Sequence, residues 1–547
     1  MLSRRSALKD VFLLILTIGS LFTFMLGSRP LSAPDEGRYT EIPREMVASG
    51  DFITPRLNGV KYFEKPPLMY WLTSSSIKAF GVNEWALRFW PAFLGLLTCL
   101  MVYGTGRLLY GRRAGLLGSG ILATSLLFYA HTRILILDMA VSTFIVGSLF
   151  NFLLATRERA PSYQRFYLFL FFLCAALAVL TKGLIGAVLP GASILLWCCL
   201  RQDWRSLKLA FKHWGIEIFF LIAVPWHIAV SLKNPEFFQF YFIHEHFERF
   251  LTTTHSRYQP VWFFIPILLL GLFPWTGLFL RTLSSTFRSL RRSLDREREA
   301  FFLLLSAGVI FLFYSLSSSK LIPYILPVFP LVSVLMGRTL DDLFDSRHPT
   351  PWLSFILMAC VLGLGIPVAL WHQNLFMNTA LQPYWITLIV ALLMGSVYVF
   401  WKRYDMRHTF GGIMITSLVV LVTLNSAWPL LDHRSVKNLA LEINRLKQPG
   451  DKIVAFGRYY QDLPPYVGEK IIVTDWKGEL EFGMSIEDTS SWMMTRQEFA
   501  ALAQKEGRFF IVTRKEFLDD LNLLGLYRTE ILSQSHNDVL LKAETSS

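Results

Sequence analysis

Residues 134–155 read ILILDMAVSTFIVGSLFNFLLA, with Arg157 and Arg159 just beyond. A single carboxylate, Asp138, interrupts an otherwise apolar or weakly polar run. About 20 such residues in helical form cross the hydrocarbon of a bilayer. The stretch is therefore read as a membrane span with a charge inside it. Working outward, comparable runs occur at 11–28, 87–108, 114–130, 165–181, 183–200 and 211–232. They continue at 260–280, 301–318, 320–338, 352–371, 383–401 and 409–430. Together they predict about thirteen transmembrane helices in a polytopic α-helical membrane protein. The composition agrees: 17% of residues are charged, against about 25% in soluble domains. Disordered, collagen-like and disulfide-scaffold classes are excluded on the same ground.

The charges then test the count. With the N-terminus in the cytoplasm, the predicted inside loops carry Arg107/Arg112/Arg113, Arg157/Arg159/Arg165 and Arg201/Arg205/Lys208/Lys212. Further along come Arg281, Arg288, Arg291, Arg292, Arg296 and Arg298, then Arg338/Arg347, then Lys402/Arg403/Arg407. Every predicted inside loop is basic, as the positive-inside rule requires. Those loops hold most of the net charge of +13, so nucleic acid is not the expected partner. An odd number of spans sends the C-terminal tail to the opposite, periplasmic side.

Residues 1–28 imitate a signal peptide, with Arg4, Arg5 and Lys9 before an apolar run from Val11 to Gly27. That run exceeds the usual 7–15 residues of a signal h-region. Pro34 follows Ser32-Ala33 and argues against cleavage there. The segment is read as a retained first span. The five cysteines, Cys99, Cys174, Cys198, Cys199 and Cys360, all fall within or at the end of apolar runs. Neither a disulfide nor a cysteine-based metal site is expected.

Two outside loops are long, at about 29–86 and 233–259, and loops of this length are usually functional. The expected organisation is a transmembrane catalytic domain over 1–431, carrying both loops, and a periplasmic domain over 432–547. In the tail, Ser435–Lys447 has helical periodicity and stops before Pro449-Gly450. Lys452–Phe456, Lys470–Thr474 and Arg508–Thr513 read as strands, and Gln497–Lys505 as a helix, giving a small α/β domain.

Ionisable groups near membrane depth are costly and mark functional sites by default. The first loop opens Pro34-Asp35-Glu36-Gly37-Arg38-Tyr39, where a helix starting near Pro34 places Asp35 and Tyr39 on one face. An interfacial amphipathic helix is the alternative. The loop continues Tyr62-Phe63-Glu64-Lys65-Pro66-Pro67, an acid and a base in a turn made extended by Pro66; a solvated ion pair is the alternative. Asp138 needs a partner or a wet cavity, and Arg133 is one candidate partner. The second loop holds His244, Glu245, His246, Glu248 and Arg249. His244 and His246 are two apart, which does not make the HExxH zinc pattern. Lys320 and Tyr324 lie in a tight outside turn. All these segments fall on one side of the membrane. Lys65, Arg249, Lys320 and the Tyr324 phenol suit a lipid phosphate. Asp35, Glu64 and Asp138 suit a general base, an amine, a sugar hydroxyl or a metal.

In this order the motifs resemble the lipid-linked-sugar glycosyltransferases of the GT-C class, which share a fold with protein O-mannosyltransferases. Among them they are most similar to the bacterial aminoarabinose transferases that modify lipid A. Departures are Gly37, where those enzymes tend to have Thr, Pro43, where they have a small polar residue, and the second proline, Pro67. The run Lys65–Trp71 is nearer the broader mannosyltransferase-like family.

The resemblance implies inverting transfer of an amino sugar, 4-amino-4-deoxy-L-arabinose, from undecaprenyl phosphate to a lipid A phosphate at the periplasmic face of the inner membrane. Resistance to cationic antimicrobial peptides would follow. It assigns Asp35 and Asp138 to catalysis. Arg38, Tyr39, Lys65, Arg249, Lys320 and Tyr324 fall to substrate binding, and Glu64 and His244 to a zinc ion. The expected partners are the carrier lipid, lipid A and membrane lipid, and a monomer is expected. Another polyprenyl-phosphate sugar, such as mannose or galactosamine, or a protein acceptor stays open as the alternative. A transporter is the non-enzymatic rival, but no inverted repeat is evident.

Overall fold

The computed structural model describes residues 4–242, 259–344, 352–372, 378–432, 434–505, 507–524 and 529–544. The chain forms two compact units. One joins Met1–Leu26 to Arg88–Trp428, and the other joins Gly27–Leu87 to Pro429–Ser547.

The first unit is helical and apolar. Among the described residues, nine helices of the chain are long and apolar enough to cross a membrane, from Arg5–Thr23 to Met406–Leu431. A bent pair, Val261–Gly271 and Thr276–Arg292, meets at 114° and makes a tenth. Pro274 stands in the break, where it can donate no backbone hydrogen bond. The expected thirteen are not reached by length and composition. The stretch 114–130 divides at Ser125 into Arg112–Thr124 and Leu126–His131. The stretch 183–200 gives the shorter Ile185–Arg201, and 320–338 gives a short 3-10 turn, Ile322–Ile325, before Val328–Phe344. Apolar character was visible in each run, but backbone breaks inside them were not.

Packing in this unit follows membrane rules. The helix Leu137–Arg157 is buried along most of its length (89%), whereas only 11% of Leu353–His372 is buried. On the latter, Leu357, Val361, Leu364 and Val368 lie outward at helical spacing, the surface expected to meet lipid tails. Helix contacts instead use small residues. A Cβ on Gly118 would meet the Ser333 carbonyl oxygen at 2.8 Å, and one on Gly337 would strike the Ala114 carbonyl. Glycine here lets two backbones approach closely where no hydrophobic effect drives association.

The second unit is a mixed α/β structure. Its first part contains the helix Asp35–Ser49, a hairpin of β1 (Arg56–Leu57) and β2 (Val60–Lys61), and the helix Leu68–Phe80. Asn58 and Gly59 turn the hairpin with positive φ of 53° and 79°, the conformation a two-residue type I′ turn demands. The tail contributes β3 (Lys452–Phe456), β4 (Ile472–Thr474), β5 (Met493–Met494), β6 (Arg508–Arg514), β7 (Thr529–Ser535) and β8 (Asp538–Glu544). They form one sheet in the order β5-β4-β3-β6-β8-β7. β3, β4, β5 and β6 run parallel, while β8 is antiparallel to β6 and to β7. Val454, Phe456, Phe499, Phe509, Ile511, Val539 and Leu541 fill one core beside it. The helices Lys437–Leu446 and Arg496–Lys505 and three of the strands stand close to where the sequence puts them. The hairpin β7–β8 and the two-residue β5 carry too little hydrophobic alternation to be read in advance.

Loop and tail are stitched within this unit by polar contacts. The Asn58 side chain donates to the Ile471 carbonyl at 3.0 Å and accepts from the Ile471 amide at 2.9 Å. Arg29 bridges Glu36 and Asp432, each at 3.1 Å. Arg56 grips Glu487 through both terminal nitrogens, at 3.0 and 2.8 Å. Glu84 accepts from Lys437 at 2.5 Å and from the Tyr466 hydroxyl at 2.9 Å.

Candidate functional site

Within the membrane unit, Asp138 stands in the first turn of Leu137–Arg157. Its partner is Lys182, the last residue of the helix Pro161–Lys182, at 2.5 Å. The two side chains are 13% and 14% exposed, so the pair is mostly removed from water. The expected alternative partner, Arg133, is committed elsewhere. It donates to Asn425 and to the Phe22 carbonyl, both at 2.8 Å. It thereby ties the end of the first span to the last one.

The Lys182 ammonium also lies over the Tyr324 ring at 4.4 Å, a cation–π geometry. Tyr314 stands beside Tyr324 with centroids 5.0 Å apart. Asp138, Lys182 and Tyr324 therefore form one cluster of acid, base and phenol. Lys320 is buried and donates to the carbonyls of Gln259 (2.8 Å) and Ser317 (2.5 Å). Its ammonium props the turn that carries Tyr324.

Lys182 is a residue that sequence reading missed. The signal was present: Thr181-Lys182-Gly183 separates two apolar runs. In the expected topology it is a cation on the outside, where the positive-inside rule gives no reason for one.

In the other unit, the helix Asp35–Ser49 follows Pro34 as the motif requires. Asp35 is 58% exposed at its side chain and accepts from Arg38 at 3.3 Å. Tyr39 is buried and stacks on Tyr70 at 5.9 Å. The expected common face is thus split: the first turn leaves Asp35 in solvent while Tyr39 packs inward. Arg38 is 12% exposed, bonds Glu479, and has the Tyr62 ring 6.0 Å away. Glu64 and Lys65 keep their carboxylate and ammonium 3.9 Å apart, and the ammonium donates to the Glu64 carbonyl at 2.7 Å. They are 21% and 18% exposed, so this is a partly shielded pair rather than a solvated one. Burial raises the Tyr62 phenol well above its ordinary value, so it acts as a neutral hydroxyl.

Farther along the same helix, Glu41 is fully buried and accepts from Nε and Nη2 of Arg44, each at 2.7 Å. Burial holds the Glu41 and Glu45 carboxyls above the ordinary range, against the pull of Arg44. Neither was singled out from sequence.

His244 and Arg249 lie outside the described residues. Among the described residues, no group of three His, Cys, Asp or Glu side chains is placed to hold a metal. Glu64, the other expected zinc ligand, has a lysine for its neighbour.

Chemically, the sites pair carboxylates with cations and phenols. Cations and hydroxyls stabilise charge that develops on phosphate oxygens. Carboxylates orient hydroxyls or amines, or take a proton.

Known proteins resemble the chain in sequence and in fold. Residues 7–242 match the family described as dolichyl-phosphate-mannose-protein mannosyltransferase. Residues 439–542 match the one described as aminoarabinose transferase C-terminal domain. The undecaprenyl phosphate-alpha-4-amino-4-deoxy-L-arabinose arabinosyl transferase of Pectobacterium carotovorum is 32% identical over 566 residues, spanning 98% of each chain. The protein of the same name from Edwardsiella ictaluri is 32% identical over 508 residues, spanning 89% of this chain and 90% of that one. The crystal structure of ArnT from Cupriavidus metallidurans bound to undecaprenyl phosphate matches with a TM-score of 0.85 at 27% identity, covering 97% of each chain.

Proposed function

We infer the function from one premise: the chain belongs to the family of undecaprenyl phosphate-alpha-4-amino-4-deoxy-L-arabinose arabinosyl transferases. It is a multi-pass membrane enzyme, a glycosyltransferase dependent on a lipid carrier. In this reading it moves 4-amino-4-deoxy-L-arabinose from undecaprenyl phosphate to a phosphate of lipid A. The observation that carries it is 32% identity over 98% of both chains. The basic inside loops support a cytoplasmic N-terminus, with the chemistry and the tail domain in the periplasm. Residues 1–431 then carry the chemistry, and 432–547 form a domain on the same side.

When the sugar leaves, negative charge collects on the carrier phosphate. Lys65 and Arg249, with the Tyr324 hydroxyl, are proposed to stabilise it. Lys182 adds to that set, because it touches both Asp138 and Tyr324. A lipid A phosphate is already ionised near neutral pH, its second pKa being about 6. It needs no general base, so Asp35 and Asp138 are proposed to orient the donor and hold its amino group. A hydroxyl acceptor would instead make Asp35 the base. Displacement is direct and inverts the anomeric carbon. Glu64 and His244 as zinc ligands rest on family resemblance alone, and no step here uses a metal. Replacing phosphate charge with an amine weakens the attraction of cationic peptides to the surface.

Mass spectrometry of lipid A tests the reading, in a deletion strain complemented with wild type or with Asp35→Asn. Wild type should add a pentosamine to a lipid A phosphate, and the variant at equal expression should not. Unmodified lipid A in both strains, with glycosylated periplasmic protein in the wild type, would move the enzyme to a protein acceptor.

A further inference from the structure

Glu479 lies in a short turn of the tail, Gly478–Leu480, more than 400 residues from the helix Asp35–Ser49 in sequence. Yet it bonds Arg38 on that helix, and both side chains are nearly buried, at 14% and 12% exposure. Two features hold it there. Gln461 donates to its other oxygen at 3.2 Å. The backbone of Gln461 and Asp462 presses on the helix at Gly37, 2.5 Å from where a Cβ would stand. Burial pushes the Glu479 carboxyl up, and Arg38 opposes that shift.

Arg38 in turn reaches Asp35 at 3.3 Å. Among the described residues its buried Nε has no hydrogen-bond partner, nor does the buried Tyr62 hydroxyl. An arginine with five donors is aimed by whichever acceptor binds it most firmly. Asp35 is largely exposed, so the firm acceptor is Glu479.

We propose that Glu479 is a positioning residue for sugar transfer, through which the C-terminal domain sets the direction of Arg38 and thereby of Asp35. The proposal rests on the transferase reading above. It separates Glu479 from the other loop–tail ion pairs. Arg56–Glu487, for example, ties the β1–β2 hairpin to the tail through an arginine that is not assigned to substrate.

The test uses the full chain in nanodiscs, with undecaprenyl-phosphate-linked aminoarabinose as donor and lipid A as acceptor. Glu479→Ala should lower kcat by about tenfold or more, since a misplacement of ~1 Å costs up to about a hundredfold. KM for the donor should stay within about twofold. Glu479→Gln keeps an acceptor for Arg38 and should retain most of the activity. Glu487→Ala, on the same seam, should keep wild-type kcat. Wild-type kcat in Glu479→Ala would overturn the proposal. So would an equal loss in Glu487→Ala, because the seam would then only dock two parts of the chain. If wild type transfers no sugar while remaining folded, the transferase reading fails first and the proposal falls with it.

Discussion

In the membrane unit, Asp138 and Lys182 form an ion pair set among tyrosine rings and apolar helices. In the other unit, the single helix Asp35–Ser49 buries Glu36 and Glu41 completely and pairs Arg38 and Arg44 besides. The first unit holds other ion pairs, such as Asp10 with Arg107 and Arg112, and close backbone packing joins its helices. The second unit uses charge to specify which distant segments meet. A buried pair adds little net stability over an apolar contact, but removing one partner is expensive. In the second unit, then, the pairs select a register. In the first, contact with Tyr324 sets the Asp138–Lys182 pair apart.

The largest expected effect comes from breaking the membrane pair. Lys182→Met leaves Asp138 without its cation and should cost about 3–5 kcal/mol, read as a lowered melting temperature in nanodiscs. Adding Asp138→Asn should restore most of that stability while activity stays lost. A wild-type melting temperature in Lys182→Met would mean that Asp138 is stabilised by other groups.

Next is a pH effect on the second unit. Burial raises the Asp462 carboxyl to about 6 from 3.8, and among the described residues its Oδ1 has no hydrogen-bond partner. Below pH 3.8 both folded and unfolded states hold the proton, and the group costs nothing. As pH climbs from about 4 through 6 the unfolded chain ionises first, so the folded unit loses stability. The total is roughly 3 kcal/mol. Asp462→Asn should remove this slope. Hydrogen exchange of residues 435–468 in the full chain, corrected for intrinsic rates, measures it. An unchanged slope in Asp462→Asn would assign the effect to Glu41 and Glu45 instead.

Gly37→Ala should cost about 1–3 kcal/mol, because the atoms opposing the new methyl are backbone of Gln461 and Asp462. Limited proteolysis of the tail in membranes would report it, and wild-type resistance would show that the tail can retreat. The smallest effect belongs to Asp35→Asn, whose exposed pairing with Arg38 should be worth less than about 0.5 kcal/mol. Normal melting together with lost transfer would mark Asp35 as chemical rather than structural.

The two units were unequally legible. Apolar runs and basic loops gave the membrane class, because hydropathy is local and additive along the chain. Ser125 and Pro274, which break two of those runs, act on backbone direction and left little trace in hydropathy. Asp35, Glu64, Lys65 and Asp138 stood out because charge is conspicuous beside apolar sequence. Lys182 was hidden at a helix end, where a lysine is ordinary. Glu479 was invisible: one glutamate in a polar tail gains its meaning only when folding brings it to Arg38. The hairpin β7–β8 was missed for the same reason, since burial of Val539–Leu541 depends on β6 rather than on its own pattern.

The Asn58-Gly59 turn bears on how the protein ages. An asparagine followed by glycine is the dipeptide most prone to deamidation, in which the glycine nitrogen attacks the side-chain amide and a succinimide forms. Here both reactants are restrained. The Asn58 amide is clasped by the Ile471 backbone, and the Gly59 nitrogen donates to Glu45 at 2.8 Å. The chain thus carries a chemical clock that is stopped while loop and tail stay joined and runs only when they part.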